Sequence, residues 1–528
     1  MRRGVELALL ALVLAAIAFA YRDATRLFWT YDDAFLLRVV EQADLNDYFG
    51  SKPFWRSMPS AMFVPLLLAW YEAGARAGDA AGFYVLAIAL LLAALVCVYA
   101  ALRRWLGAVE SLSAIAIIGL GPPVVSVVIQ LMATHYLIAL AFSALSVGAL
   151  APSRGAAPGD GGATPPGQPA GRWPSAVFYL AAILAKEIAI PLPFLLLLLP
   201  GVRVRHVVPH GIALVLYFAW RKIMIGAFLG GYGWAVTADN ADDLLLSLPR
   251  QLATTLTLAA LVLLAVIALR LRSRRFAFAF VIALGAAIAP VLPVAREPQS
   301  RYAFAAWVTL AVFFAIAARS RAVVCAIGVI AVAVAFQFEW RKVFAVSEEM
   351  SAESRFVMRA PANATLRLPR TPPAAMAELQ WHRAKTGAPQ GLQWFYDDVW
   401  LCGGRVQGRR LFDFDARTRR IVDVSPQAHA LQQKHCSAIR ENAPLTADFR
   451  FENGTLFWTF GPYERGAYHV VFADGIQAFT VPREDAYRLG EMDGIALRVR
   501  YDAPEGWVTY SPEIALDFRR TPTFRWHR

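Results

Sequence analysis

The stretch SAMFVPLLLAWYEAGARAG, residues 60–78, decides the fold of this chain. It is apolar enough to be taken for a membrane span, and counting it as one reverses the side of every later loop. A crossing helix needs about 20 predominantly apolar residues. Such runs stand at 5–21, 83–102, 111–129, 134–150, 173–188, 190–201, 207–225, 251–269, 276–293, 302–318 and 322–339. Basic residues gather in every second gap: Arg2 and Arg3, Arg103 and Arg104, Arg154 and Arg172, Arg203 and Arg205, then Arg270, Arg272, Arg274 and Arg275, and last Arg319 and Arg321. With about eleven spans they all fall on one side, the positive-inside pattern of a cytoplasmic face. Residues 60–78 therefore read as a helix lying in or dipping into the interface, within a first outer loop at 22–82. The run 190–201 is short and Pro-rich and needs its neighbours to complete a crossing.

Composition agrees with this reading. Of 528 residues 58% are hydrophobic and 17% charged, with a mean hydropathy of +0.45, against about 25% charged in a soluble domain. A polytopic α-helical membrane protein with a separate C-terminal domain is expected. The formal net charge of +13 does not imply a nucleic-acid partner, because the basic residues lie between apolar runs. The N-terminus has features of a signal peptide, with Arg2 and Arg3, an apolar core and Ala18-Phe19-Ala20. The run is long for that role and a bundle follows, so an uncleaved first span is expected. High Ala and Arg usage points to a bacterial inner membrane, with the N-terminus cytoplasmic and the C-terminal domain extracytoplasmic.

Two other regions stand out. Residues 151–172, APSRGAAPGDGGATPPGQPAGR, read as a flexible cytoplasmic linker. From about residue 345 the apolar runs stop and strand-like segments begin: ATLRLP, RRIVDV, ADFRFENGTLFWTF, AYHVVFADGIQAFTV, IALRVRYD and WVTYSPEIALDF. They predict an outer domain at 345–528, mixed over 370–440 and a β-rich sandwich from about 440. Its aromatics, such as Trp458 and Phe460, read as core. Cys97 and Cys325 fall in apolar runs, whereas Cys402 and Cys436 lie together in the outer domain and form a candidate disulfide in an oxidising compartment. There is no metal-ligand spacing and no phosphate-loop or dinucleotide fingerprint in context.

Ionisable residues at membrane edges are costly and mark function by default. Four groups fall on the outer side. Asp32 and Asp33 follow the first span in FWTYDDAFLL, where Thr30 or Asp32 also suits a helix cap. Lys186 and Glu187 stand near the outer end of YLAAILAKEIAIPLP, where Pro191 and Pro193 break the helix; a local ion pair or a snorkelling lysine is the plain alternative. Arg221 and Lys222 precede the glycine-rich GGYG. The loop PVAREPQSRYAFAAW carries Arg296, Glu297, Arg301 and Tyr302, and Arg suits phosphate oxygens or a pairing with Glu297. Together they place two carboxylates and several cations on one side of a bundle, where a lipid phosphate would satisfy the cations.

This arrangement resembles the GT-C class of membrane glycosyltransferases, which use polyprenyl-phosphate-linked sugars and include protein O-mannosyltransferases and aminoarabinose transferases. The resemblance covers roughly residues 5–340 in pattern. YDDAFLL matches an acidic pair after the first span. SKPFWRSMPSAMFVPLLLAWYEAGARAG matches a basic-Pro or Arg-x-x-Pro element leading into an interface helix. AKEIAIPLP matches a lysine near a Pro-containing turn, and SRYAFAAW an Arg-Tyr pair opening a late span. One departure is VVIQLMATHYLIAL, which has Gln130 and His135 where many members carry a further acid.

The resemblance implies inverting transfer of a sugar from a polyprenyl-phosphate donor to an extracytoplasmic glycan, lipid or protein. Asp32 or Asp33 would be the general base. Lys186, Arg221, Lys222, Arg301 and Tyr302 would bind the donor phosphate. Lys52, Arg56, Gln130, His135 and Glu187 are further candidates for substrate contact. No cofactor is certain, and a divalent metal bridging the aspartates and the phosphate stays open. Residues 345–528 take no function from the resemblance. The alternatives are a transporter or flippase of a lipid-linked glycan and a non-catalytic envelope scaffold.

Overall fold

The computed structural model describes residues 3–58, 62–76, 78–150, 171–228, 257–294, 299–404, 406–452, 455–472, 475–488, 493–519 and 523–528. The linker 151–170, the GGYG at 230–233, residues 251–256 and the Arg296–Glu297 pair lie outside them. The chain forms two compact units, one of Met1–Phe28 and Phe35–Ser347, the other of Trp29–Ala34 and Glu348–Arg528.

The first unit is helical. It opens with α1 (Arg3–Tyr21), α2 (Asp33–Gln42, which starts in the second unit), α3 (Leu45–Gly50), α4 (Lys52–Ser57) and α5 (Pro65–Ala75). The stretch at 60–78 thus holds a helix of only 11 residues, about 16 Å long at 1.5 Å per residue and half of a ~30 Å hydrocarbon core. Pro65 starts it and the left-handed Gly78 follows it. Asp79 then caps α6 (Ala80–Leu102) by accepting from the Gly82 N–H at 2.7 Å. Gly74 lets α6 come close, since a Cβ there would lie 2.2 Å from the Phe83 ring.

Next come α7 (Ala108–Gly119), α8 (Pro122–Ile129), α9 (His135–Leu150), α10 (Arg172–Ala185), α11 (Leu192–Leu196) and α12 (Val204–Ile225). The run expected at 111–129 is a pair, α7 and α8, bent by 56°. The bend falls at Gly121–Pro122, the usual place for one. The Trp307 indole fills the space a Cβ at Gly121 would need and donates to the Ile117 carbonyl at 2.9 Å. The runs expected at 173–188 and 190–201 are both short. α10 stops because Lys186 is extended (φ −159°, ψ 135°), and α11 has 5 residues between prolines and a turn.

The unit closes with α13 (Leu258–Ala268), α14 (Arg274–Ile288), α15 (Phe304–Ala317) and α16 (Ala322–Arg359). α16 has 38 residues and continues well past the apolar run at 322–339; its residues beyond Ser347 belong to the second unit. Among the described residues 7 helices are long and apolar enough to cross a membrane, or 8 with the bent pair, and three more apolar helices are shorter. This helix-rich architecture is compatible with a polytopic membrane protein.

The second unit begins with a four-stranded sheet of order β2-β1-β3-β4. Its strands are β1 (Ala364–Arg367), β2 (Gln393–Phe395), β3 (Arg410–Asp415) and β4 (Arg420–Asp423), with β1 parallel to both β2 and β3. The helices α17 (Pro373–Lys385), α18 (Val399–Cys402) and α19 (Ala428–Ala438) accompany it. The chain then makes β5 (Thr446–Glu452), β6 (Thr455–Gly461), β7 (Ala467–Phe472), β8 (Gln477–Val481), β9 (Glu484–Arg488), β10 (Gly494–Asp502), β11 (Val508–Tyr510), β12 (Ile514–Asp517) and β13 (Thr523–His527). These form two antiparallel sheets, β11-β10-β7-β8 with β12 on β10, and β13-β5-β6-β9. Alternate residues of both sheets share one core, including Phe449, Trp458, Phe460, Tyr468, Val499 and Ile514. That is the period-2 burial of strands with one wet face. Cys402 of α18 and Cys436 of α19 are joined by a disulfide, and Cys97 and Cys325 are free.

Candidate functional site

In the first unit three breaks in helices bring charged side chains together. Between α8 and α9 the chain makes a single turn at Leu131–Ala133 flanked by Gln130 and His135. Between α10 and α11 it is extended at Lys186 and turns over Glu187–Ala189. Ahead of α15 a turn at Ser300–Ala303 carries Arg301 and Tyr302. Irregular backbone among apolar helices is tolerated where it lines a cavity or is buried in protein.

The side chains meet across these breaks. Arg221, one face of α12, is 2% exposed and donates from Nη1 to Glu187 Oε1 at 2.6 Å and to the Tyr217 hydroxyl at 2.8 Å. The Lys186 ammonium lies 3.8 Å from the other Glu187 oxygen and 5.5 Å from the centre of the Tyr136 ring. Arg301 is buried and donates to Gln130 Oε1 at 2.6 Å, with its guanidinium over Tyr302. The charges of Arg221 and Arg301 both act on Lys186. Three cations are thus gathered around Glu187 and Gln130 in the interior of the bundle. Desolvation and mutual repulsion oppose such a gathering, and a bound anion relieves both.

An apolar groove adjoins the cluster, lined by residues that include Ala139, Ser143, Ile188, Pro191, Ala287 and Phe304. Ile188 directly follows Glu187, and Ala139 stands one turn after His135.

Three expected members lie elsewhere. Lys222 is exposed, and its ammonium donates to the Gly226 carbonyl at 2.6 Å at the C-terminal end of α12. A cation there suits the helix dipole. Lys52 and Arg56 are exposed on α4, and Arg56 lies near Gly226. Adjacent residues on a helix point about 100° apart, which is why Arg221 and Lys222 separate.

The aspartate pair is seated in the second unit. Ala34 is buried among Val357, Ala360, Leu366, Met376 and Leu379, with Trp29 packed against them. The His382 ring donates from Nε2 to the Ala34 carbonyl at 2.8 Å. Asp33 is fully buried and its Oδ2 accepts from the Thr30 N–H at 2.8 Å, while the Asp33 N–H returns to the Thr30 carbonyl at 3.0 Å. This is half of a capping box, so the carboxylate seen closing the turn is that of Asp33. Asp32 is exposed. Tyr31 between them has a φ of 47°, a conformation uncommon for a non-glycine residue. Among the described residues no group of three or more His, Cys, Asp and Glu side chains could hold a metal ion.

One further motif escapes a reading guided by apolar runs. WTYDDAFLL at 29–37 has a counterpart, WFYDDVWLC at 394–402, with the Trp, Tyr, both Asp, an aromatic and a Leu in register. Asp397 is fully buried and accepts from Arg500 Nη1 at 2.9 Å, the Tyr510 hydroxyl at 2.8 Å and the Val399 N–H at 2.8 Å. Asp398 takes a fork of two bonds from Arg367, at 2.8 and 2.6 Å.

Comparison with known proteins gives no match to a family model, a curated protein or a solved structure.

Proposed function

We propose that this protein is a membrane glycosyltransferase that moves a sugar from a polyprenyl-phosphate donor to an acceptor hydroxyl, as in the GT-C class. The observation that carries this reading is the gathering of the buried Arg221 and Arg301 and the partly buried Lys186 beside an apolar groove. A phosphate on a long apolar chain fits that pairing of features. In the reaction the acceptor oxygen bonds to the anomeric carbon on the face opposite the phosphate, and its proton goes to a carboxylate. The anomeric carbon–oxygen bond breaks with its electron pair going to the phosphate, which leaves as a monoester with one more negative charge. Cations held in place around that phosphate bind the leaving group more strongly than the donor, which is the differential binding catalysis needs. Of the two aspartates we assign the base to Asp32. Asp32 is exposed, where an acceptor can reach it, and Asp33 is buried. A bacterial inner membrane is the proposed location.

The test compares single Asn variants in producing cells. Asp32→Asn is expected to abolish a one-sugar mass increment on envelope glycans, lipids or proteins, read by mass spectrometry, with the protein still present in the membrane. Asp33→Asn keeps an acceptor for the Thr30 N–H and is expected to retain the increment. Unchanged glycans with Asp32→Asn present at the normal level would overturn the assignment.

A further inference from the structure

His135 is about nine-tenths buried, with 6% of its surface exposed, and neither ring nitrogen has a hydrogen-bond partner. The backbone of Met132 also acts on the ring. A buried polar group left unpaired costs about 1–3 kcal/mol, and nothing in the packing of α9 asks for it. The helix reads HYLIALAF from this point, and an apolar ring would fill the same space.

The surroundings show what is missing. The charges of Lys186 and Arg301 act on the imidazole, and both of those head groups carry N–H donors only and no acceptor atom. The imidazole stacks on the Tyr136 ring at 4.9 Å and 28°, and the Lys186 ammonium stands over the same ring. His135 also opens α9, a helix of 16 residues whose first-turn N–H groups give that end a partial positive charge. Donors converge on this place from three elements, and an acceptor with several lone pairs would satisfy them together. The direction of the groove adds the rest. His135, Ala139 and Ser143 fall at i, i+4 and i+8, one stripe of α9, and Ala139 and Ser143 line the apolar groove.

We propose that His135 is a positioning residue that donates a hydrogen bond to a phosphate oxygen of an amphiphilic ligand, with the ligand's apolar chain running along Ala139 and Ser143. This rests on reading the cation cluster as a phosphate site. It adds a specificity element, a donor that fixes one phosphate oxygen at the head of the groove.

The experiment uses the full-length protein in nanodiscs of zwitterionic lipid. The probes are farnesyl phosphate, farnesol and inorganic phosphate, and the readouts are binding and ligand-free thermal unfolding. His135→Phe keeps the ring and its stacking and removes the donor. It is expected to unfold at an equal or higher temperature without ligand, and to bind farnesyl phosphate about ten- to a hundredfold more weakly, the range of a hydrogen bond to a charged group. Farnesol binding should not change, and His135→Gln, which restores an N–H, should recover part of the loss. Lys186→Met is the reference. If His135→Phe binds farnesyl phosphate like the wild type while Lys186→Met does not, the phosphate site stands and the role of His135 is overturned. If Lys186→Met also binds normally, the phosphate reading of the cluster falls as well. Inorganic phosphate binding as tightly as farnesyl phosphate would overturn the amphiphile and the groove. Should His135→Phe not fold, His135→Gln and His135→Leu carry the same comparison.

Discussion

Two segments of one pattern, WTYDDAFLL at 29–37 and WFYDDVWLC at 394–402, end in different chemistry. In the second, both carboxylates are buried or nearly so and both are met by arginines, Asp397 by Arg500 and Asp398 by Arg367. In the first, Asp33 turns back on the Thr30 backbone while Asp32 is exposed. Both lead into a helix, but by different turns: Tyr31 has a φ of 47° and Asp33 closes the first turn on Thr30, whereas Asp397 takes the Val399 N–H in the second. What further separates them is supplied from far along the chain. A pair of adjacent aspartates is thus no sign of catalysis by itself.

The largest effect should come from the second segment. Asp397→Ala leaves Arg500 and Tyr510 without their shared acceptor in the interior. Breaking a buried pair in this way costs about 3–5 kcal/mol, so the second unit should lose its cooperative unfolding transition at temperatures where the wild type is folded. A small loss would mean the network is not what distinguishes the two segments.

The disulfide sharpens the contrast next, because Cys402 stands where the first segment has Leu37. It closes a loop with a sequence separation of 34, and cross-links of this kind stabilise by about 2–4 kcal/mol. Replacing both Cys402 and Cys436 by Ala should lower the unfolding temperature of the second unit in urea or heat. The same change should appear in the wild type on reduction, and not in the double variant.

A pH effect of similar or smaller size comes from behind the second segment. The Tyr396 hydroxyl donates to the Thr371 carbonyl, and Thr371 donates through its N–H and hydroxyl to Glu353. Glu353 lies beyond the apolar run of α16, and burial pushes its carboxyl up to about 7 from the usual 4.5, against the hydrogen bonds it accepts. The folded state therefore holds a proton that the unfolded chain has released. The stabilisation is complete below about pH 4.5, falls as pH rises towards 7 and is gone above it, a change of order 3 kcal/mol at most. Unfolding followed by tryptophan fluorescence between pH 4.5 and 8 should show this decline, and Glu353→Gln should flatten it.

The smallest effects belong to the first segment. Asp33→Ala removes a cap and should cost about 1 kcal/mol, whereas Asp32→Ala, a change at an exposed residue, should stay within about 0.5 kcal/mol. Equal losses would erase the distinction drawn between the two acids.

The sequence carries much of this architecture, unevenly. Among the described residues, apolar runs locate every long helix because each needs its own uninterrupted stretch. The 56° bend between α7 and α8 is hidden by the uniform apolarity of VESLSAIAIIGLGPPVVSVVI, although Gly121, Pro122 and Pro123 mark where it falls. α16 outruns its apolar stretch because KVFAVSEEMSAESRFVMR keeps good helix formers after hydropathy drops. Strands that alternate, such as ADFRFE and IALRVRYD, are plain, while β2, β3, β9 and β13 are short or charged and are fixed by their neighbours. Of the candidate site, the cations announce themselves as charges in awkward places. Their separation into Arg221 inside and Lys222 outside needs the rotation of α12. The seating of residues 29–34 on residues 348–412 is a contact between distant parts of the chain, which local patterns do not record.

That seating has a consequence in time. Ala34 is made early, but the Val357, Leu366 and Met376 side chains that bury it are synthesised more than three hundred residues later. At about 5–20 residues per second, the turn that carries Asp32 and Asp33 waits on the order of tens of seconds at the ribosome before its seat exists. A chain released without residues 348–528 would lack the side chains that bury Ala34. Whatever the aspartates do can begin only after the second unit has been made.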